Sequence, residues 1–149
     1  MWLHVSKKPV KMPLNDIDCK KQTPGFKPTG LWLGAGNAWL NWMQSEMPEW
    51  NKEYKYMYKC YLKRNINMFH INTFSALKRF TAKYGIVSKF TVIDWPRVCQ
   101  DYDGIMVTNY NKILEPSVDK LELLWFRTYD IDSACIWKPS AVISSIKRA

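Results

Sequence analysis

Long apolar runs are absent from this chain: nothing in its 149 residues approaches the roughly 20 needed to span a bilayer. The start, Met1-Trp2-Leu3-His4, lacks the charged region followed by an apolar one that marks a secretory signal. These absences predict a soluble, unprocessed protein of the cytoplasm with no membrane partner. Cysteine is sparse and spread out. Cys19, Cys60, Cys99 and Cys135 stand about 40 residues apart, with no CxxC pair and no histidine at ligand spacing. That spacing excludes a recognisable zinc or redox motif, so no metal is expected, and the four cysteines read as free or buried thiols in a reducing cytosol. Also missing are a phosphate-cradling GxxxxGK[ST] loop, a GxGxxG run and any Ser-His-Asp arrangement. Gly34-Ala35-Gly36 is too short to signal dinucleotide binding by itself.

Positive charge and flat rings are present instead. Lys plus Arg number 22 against 13 Asp plus Glu, a formal net charge of +9. Such a surplus favours nucleic acid, nucleotides or acidic proteins as partners. Eight Trp, eight Tyr and six Phe make up 15% of the chain, with tryptophans concentrated between Leu31 and Trp50. With 47% hydrophobic residues, one domain over 1–149 can bury a sizeable core as a monomer.

Periodicity interleaves strands and helices, which makes the fold class α+β. Trp2 to Ser6 reads as a strand, broken by Pro9 and Pro13 and followed by a long surface loop over Lys7 to Thr29. Loops of that length in compact domains are usually functional covers or mobile segments. Gly30 to Leu33 reads as a second strand, turned by Gly34 to Gly36 into a helix over Asn37 to Glu46. Trp39, Trp42 and Met43 share one face of that helix. Tyr54 to Tyr61 alternates like a half-buried strand and Asn67 to Ile71 is extended, so the two are expected to pair. Asn72 is the expected N-cap of a helix over Thr73 to Tyr84 that Gly85 closes. Asp94 caps a short helix over Trp95 to Tyr102, and Gly104 to Val107 is a strand. A turn falls at Pro116, Val118 to Tyr129 is ambiguous between helix and strand, and Ala134 to Trp137 and Ala141 to Ile143 are short apolar pieces.

The order of four segments resembles that of ADP-ribosyltransferase domains, particularly the small diphtheria-toxin-like and phage-encoded members that split NAD. His4-Val5-Ser6 looks like the family's opening His-x-Ser, and Gly30-Leu31-Trp32-Leu33 like its Gly-aromatic second strand. Tyr102-Asp103-Gly104-Ile105 is similar to its Tyr-Asp-Gly-Ile strand, and Ser133 to Val142 to its closing strand with a Pro-Ser-x-Val tail. The resemblance spans nearly the whole chain. It implies split antiparallel β-sheets with flanking short helices, NAD as cofactor and substrate, and a macromolecular acceptor, protein or nucleic acid. Two departures stand out: the usual reactive-site Tyr is replaced by the choice of Trp32, Trp39 and Trp42, and the usual Glu by Asp130-Ile131-Asp132-Ser133.

Cleaving the nicotinamide–ribose bond creates an oxocarbenium-like centre, akin to glycoside cleavage. Trp is the strongest ring for stacking on a pyridinium, which assigns Trp32 and one of Trp39 or Trp42 to nicotinamide. Asp132 is the best-placed acid, with Asp130 second, and Trp32 and Asp132 would carry the chemistry. His4, with Ser6 and Gly30 beside it in the motif order, would hold the other ribose. Each residue also has a plainer reading: Trp39 and Trp42 as core packing, His4 as a satisfied histidine, Asp132 as a turn or cap. Two other functions compete. One is a nucleic-acid-binding module stacking bases on Tyr54, Tyr56 and Tyr58, although Lys55 and Lys59 fall on the opposite face. The other is a transferase relative that kept the fold and lost the chemistry. A compact Lys/Asn/Tyr-rich composition also fits a viral or phage product acting in host cytoplasm.

Overall fold

A computed structural model describes residues 1–11 and 14–148, with side chains as far as Val142. Pro13, read as a strand breaker, lies outside the described residues. In chain order the elements are β1 (Trp2–Ser6), β2 (Leu31–Ala35), α1 (Ala38–Glu46), β3 (Tyr56–Leu62), β4 (Met68–Ile71) and α2 (Phe74–Tyr84). They continue with β5 (Gly85–Val87), β6 (Thr91–Ile93), α3 (Trp95–Asp101), β7 (Gly104–Val107), α4 (Tyr110–Ser117), β8 (Ser133–Ile136) and β9 (Val142–Arg148). The class is α+β. No described helix is long and apolar enough to cross a membrane.

Seven strands form one sheet in the order β4-β7-β8-β2-β1-β3-β9, and β5 and β6 form a separate hairpin. Most neighbours are antiparallel, but β4 and β7 run parallel, which corrects the expectation of wholly antiparallel sheets. Parallel neighbours require a crossover, here supplied by α2 and α3. The expected pairing of the Tyr54–Tyr61 strand with the Asn67–Ile71 strand does not occur: β3 lies between β1 and β9, and β4 sits at the far edge. Alternation marks which face of a strand is buried and carries no information about its partner.

Strand alternation divides the core between the two faces. Leu31 and Leu33 join Tyr58, Cys60, Ala134 and Ile136 on one side. Trp32 points the other way, against a larger cluster in which Phe80, Trp95, Trp125 and Trp137 are fully buried. The amphipathic face of α2 (Leu77, Phe80, Thr81) covers that cluster as its spacing predicts. The α2 cap is Thr73 rather than Asn72, its hydroxyl accepting from the Ala76 N–H at 3.0 Å.

Two segments depart further from expectation. Tyr110 to Ser117 is a helix carrying Pro116 in its last turn, where the missing N–H forfeits a single bond. Leu121–Tyr129 resolves the ambiguous stretch as 3-10 helix. The 7–29 segment is a surface connection, but it is fastened. The Ile17 N–H donates to Trp137 O at 2.8 Å, and the Gln22 amide both donates to Thr29 O (2.6 Å) and accepts from its N–H (2.9 Å). Gly25 bridges Ile93 through both backbone groups, and the Trp95 indole donates to Gly25 O. A Cys19–Cys99 disulfide closes the fastening, which corrects the expectation of four free thiols; Cys60 and Cys135 are buried and free.

Candidate functional site

The sheet has a seam. β1 and β2 pair only at Trp2↔Ala35 and Leu3↔Gly34, whereas β1 and β3 pair along all five residues of β1. Past the second pair the strands diverge, and a cleft of about 210 Å³ opens between them. Leu3, His4 and Val5 line one wall and Trp32, Leu33 and Gly34 the other, with Lys27, Trp39, Tyr129, Ile131 and Ser133 around them.

His4 reaches across the seam, its Nδ1 2.8 Å from Trp32 O. A carbonyl only accepts, so Nδ1 carries the proton and Nε2 keeps a lone pair. Burial lowers the His4 pKa and outweighs the opposing hydrogen bond, so the ring is neutral at pH 7. A neutral imidazole with a free lone pair suits a hydroxyl donor such as a ribose.

Trp32 meets Tyr129 edge-on at 5.5 Å between centroids. Trp39 stacks on Trp42 at 5.3 Å with planes 14° apart, and Trp50 packs against both. Trp39, Trp42 and Trp50 therefore form one self-packed cluster, of which Trp39 alone lines the cleft beside Trp32. Gly34 permits that approach, since a Cβ there would lie 2.9 Å from Trp39 Cβ. Two buried hydroxyls in the cleft wall, Ser133 Oγ and Tyr129 OH, have no hydrogen-bond partner. Both residues are 4% exposed. An unmade bond at a buried polar group costs about 1–3 kcal/mol, and because both oxygens are closed to solvent, a polar ligand edge would reach them only after the wall side chains shift.

Of the residues singled out from sequence, His4, Trp32 and Trp39 meet in this cleft, and the others do not. Ser6 Oγ donates to Lys8 O, closing the turn after β1. Gly30 is the point where β2 approaches β8, since a Cβ would come within 2.7 Å of Cys135 Sγ and Ile136 O. Trp42 and Asp132 line a neighbouring pocket of about 420 Å³ with Asp130 and Tyr110. Asp132 precedes β8 and faces away from Ser133, and its carboxylate accepts from the backbone N–H groups of Tyr110 (2.8 Å) and Asn109 (3.3 Å). It is the cap of α4, supplied from 22 residues downstream. Asp130 is exposed, at φ +62°, and partial burial raises its pKa against the pull of Lys27. Among the described residues, the cleft lining contains no carboxylate. Nor do the β3 tyrosines form an open platform, because Tyr58 is 4% exposed, accepts from the Val10 N–H and belongs to the core.

Lys27, Tyr129 and Ser133 are cleft residues that sequence reasoning missed. Ser133 was within reach, because it adjoins Asp132 at the start of a strand and strand neighbours face opposite sides. An Asp132→Ala variant is expected to lose about 2 kcal/mol of stability in urea titration, the worth of a charged double cap on α4, with the cleft unaltered. No protein-family model, curated protein or solved structure matches the chain.

Proposed function

We propose that the chain binds nicotinamide adenine dinucleotide in the β1/β2 cleft and leaves its glycosidic bond intact. The observation that carries this reading is the pair of unpartnered buried hydroxyls, Ser133 and Tyr129, in a ring-lined cleft that also contains neutral His4. A nicotinamide ring matches that set: its face stacks on Trp32 or Trp39, its ribose donates to His4 Nε2, and its carboxamide bonds the hydroxyls once a side-chain shift uncovers them. Pockets for whole drug-sized ligands run about 300–1,000 Å³, so about 210 Å³ suits one ring and its sugar. The remainder of the dinucleotide would lie outside, towards the basic surface.

ADP-ribosyl transfer to a protein or nucleic acid, as the family resemblance implies, needs an acid beside the breaking bond. Asp132 is committed to α4, and the cleft lining offers no other carboxylate, which supports binding without cleavage. Calorimetric titration with NAD, followed by assay for released nicotinamide in the same sample, tests the reading. Binding without release is expected, weakened about tenfold or more by Trp32→Ala. Release that disappears in Asp132→Ala would replace this reading with the transferase one.

A further inference from the structure

Lys27 occupies the position that a cationic ring would take. Its ammonium lies 5.4 Å from the centroid of the Trp32 ring and 5.8 Å from that of Tyr129. The backbone that carries it is held on both sides, by the Gln22–Thr29 clamp and by the Gly25–Ile93 bridge. Electron-rich faces attract one positive charge, and here the chain itself provides it. Among the described residues no carboxylate lines the cleft, and the one that Lys27 feels, Asp130, lies in the neighbouring pocket and only partly offsets its charge.

We propose that Lys27 makes the cleft selective for the redox state of its ligand, favouring the neutral dihydronicotinamide of NADH over the pyridinium of NAD+. This rests on the reading that the cleft binds this dinucleotide. The two forms share ribose, carboxamide and phosphates, so His4, Ser133 and Tyr129 cannot tell them apart by hydrogen bonding. What differs is one positive charge on the ring, and Lys27 is the only charged side chain in the cleft lining among the described residues. A pyridinium entering between Trp32 and Tyr129 must either displace the ammonium from those faces or lie beside it in a partly desolvated space. A neutral ring taking the same place also moves the ammonium, but adds no charge repulsion to that cost.

Parallel calorimetric titrations with NAD+ and NADH, on the wild-type protein and on Lys27→Met and Lys27→Arg, test this. Wild type is expected to bind NADH tighter by roughly tenfold, the scale of one cation–π contact in partial burial. Lys27→Met should bring the ratio close to one, chiefly by tightening NAD+, and Lys27→Arg should retain the preference. Equal wild-type affinities, tighter NAD+ than NADH, or a preference that survives Lys27→Met would each overturn the assignment to Lys27 while leaving the cleft reading in place. Failure of both nucleotides to bind any of the three proteins would overturn the cleft reading, and this inference with it.

Discussion

Reduction of the Cys19–Cys99 disulfide is expected to lower folding stability by about 3 kcal/mol. The bond links residues 80 apart. In the chain-entropy description, opening a loop of that length frees about 4–5 kcal/mol of unfolded-state entropy, and native bonds commonly deliver about 2–4. Cys99 is buried on α3 at 3% exposure, and Cys19 begins a 3-10 turn that packs beside it. The reduced protein should therefore keep its fold while the described part of the 7–29 segment depends on its hydrogen bonds, the Lys7–Glu53 ion pair and the packing of Ile17 and Phe26 on the core. Thermal melts with and without dithiothreitol, alongside a Cys19→Ser/Cys99→Ser double variant, measure this. At this size the expected drop in Tm is roughly 6–12 °C. Melts that coincide would show that the bond contributes nothing to the folded state.

Replacing Trp125 by alanine is expected to cost about 4 kcal/mol or more, enough to leave much of the protein unfolded in mild denaturant. Trp125 is fully buried and touches Phe80, Trp95, Phe126 and Tyr129 edge-on or tilted, at 5.6–6.0 Å between centroids. Its indole N–H donates to Thr81 Oγ1 at 3.1 Å, and Thr81 in turn donates to Leu77 O. Truncation thus removes a large transfer term, leaves a cavity between α2 and the 3-10 helix, and breaks a buried hydrogen-bond chain. Urea unfolding followed by far-UV circular dichroism reads the change. A loss under 2 kcal/mol would mean that the surrounding rings collapse into the space.

Much of this architecture is legible in the sequence where local pattern decides it. β1, β2, α1, α2, α3, β7 and β8 lie close to their expected places, because apolar spacing and nearby caps or breakers define each one. The failures share a cause, which is a determinant distant in sequence. Helix α4 was obscured because Pro116 reads as a turn residue, while the group that caps the helix, Asp132, arrives from elsewhere in the chain. Cys19 finds Cys99 without any spacing motif, and β4 finds β7 only because two helices return the chain. In the cleft, His4, Trp32 and Trp39 were visible from segment order and residue type. Lys27 was hidden in a stretch read as loop, and Tyr129 in one whose periodicity favoured no single structure.

The two-rung seam between β1 and β2 also bears on how the molecule assembles. On one side, β4, β7, β8 and β2 form a four-stranded half; on the other, β1, β3 and β9 form a three-stranded half. The first half closes through pairings such as Leu31 with Ile136, and the second through Met57 with Arg148, all distant along the chain. Such pairings bear loop-closure entropy before they return any energy, which slows folding into the millisecond-to-second range. Each half has several rungs of its own and the join has two, so the join is held by fewer ladder hydrogen bonds than either half. The cleft lies at that join, so a molecule bound there would bridge the two halves and act as a brake on unfolding.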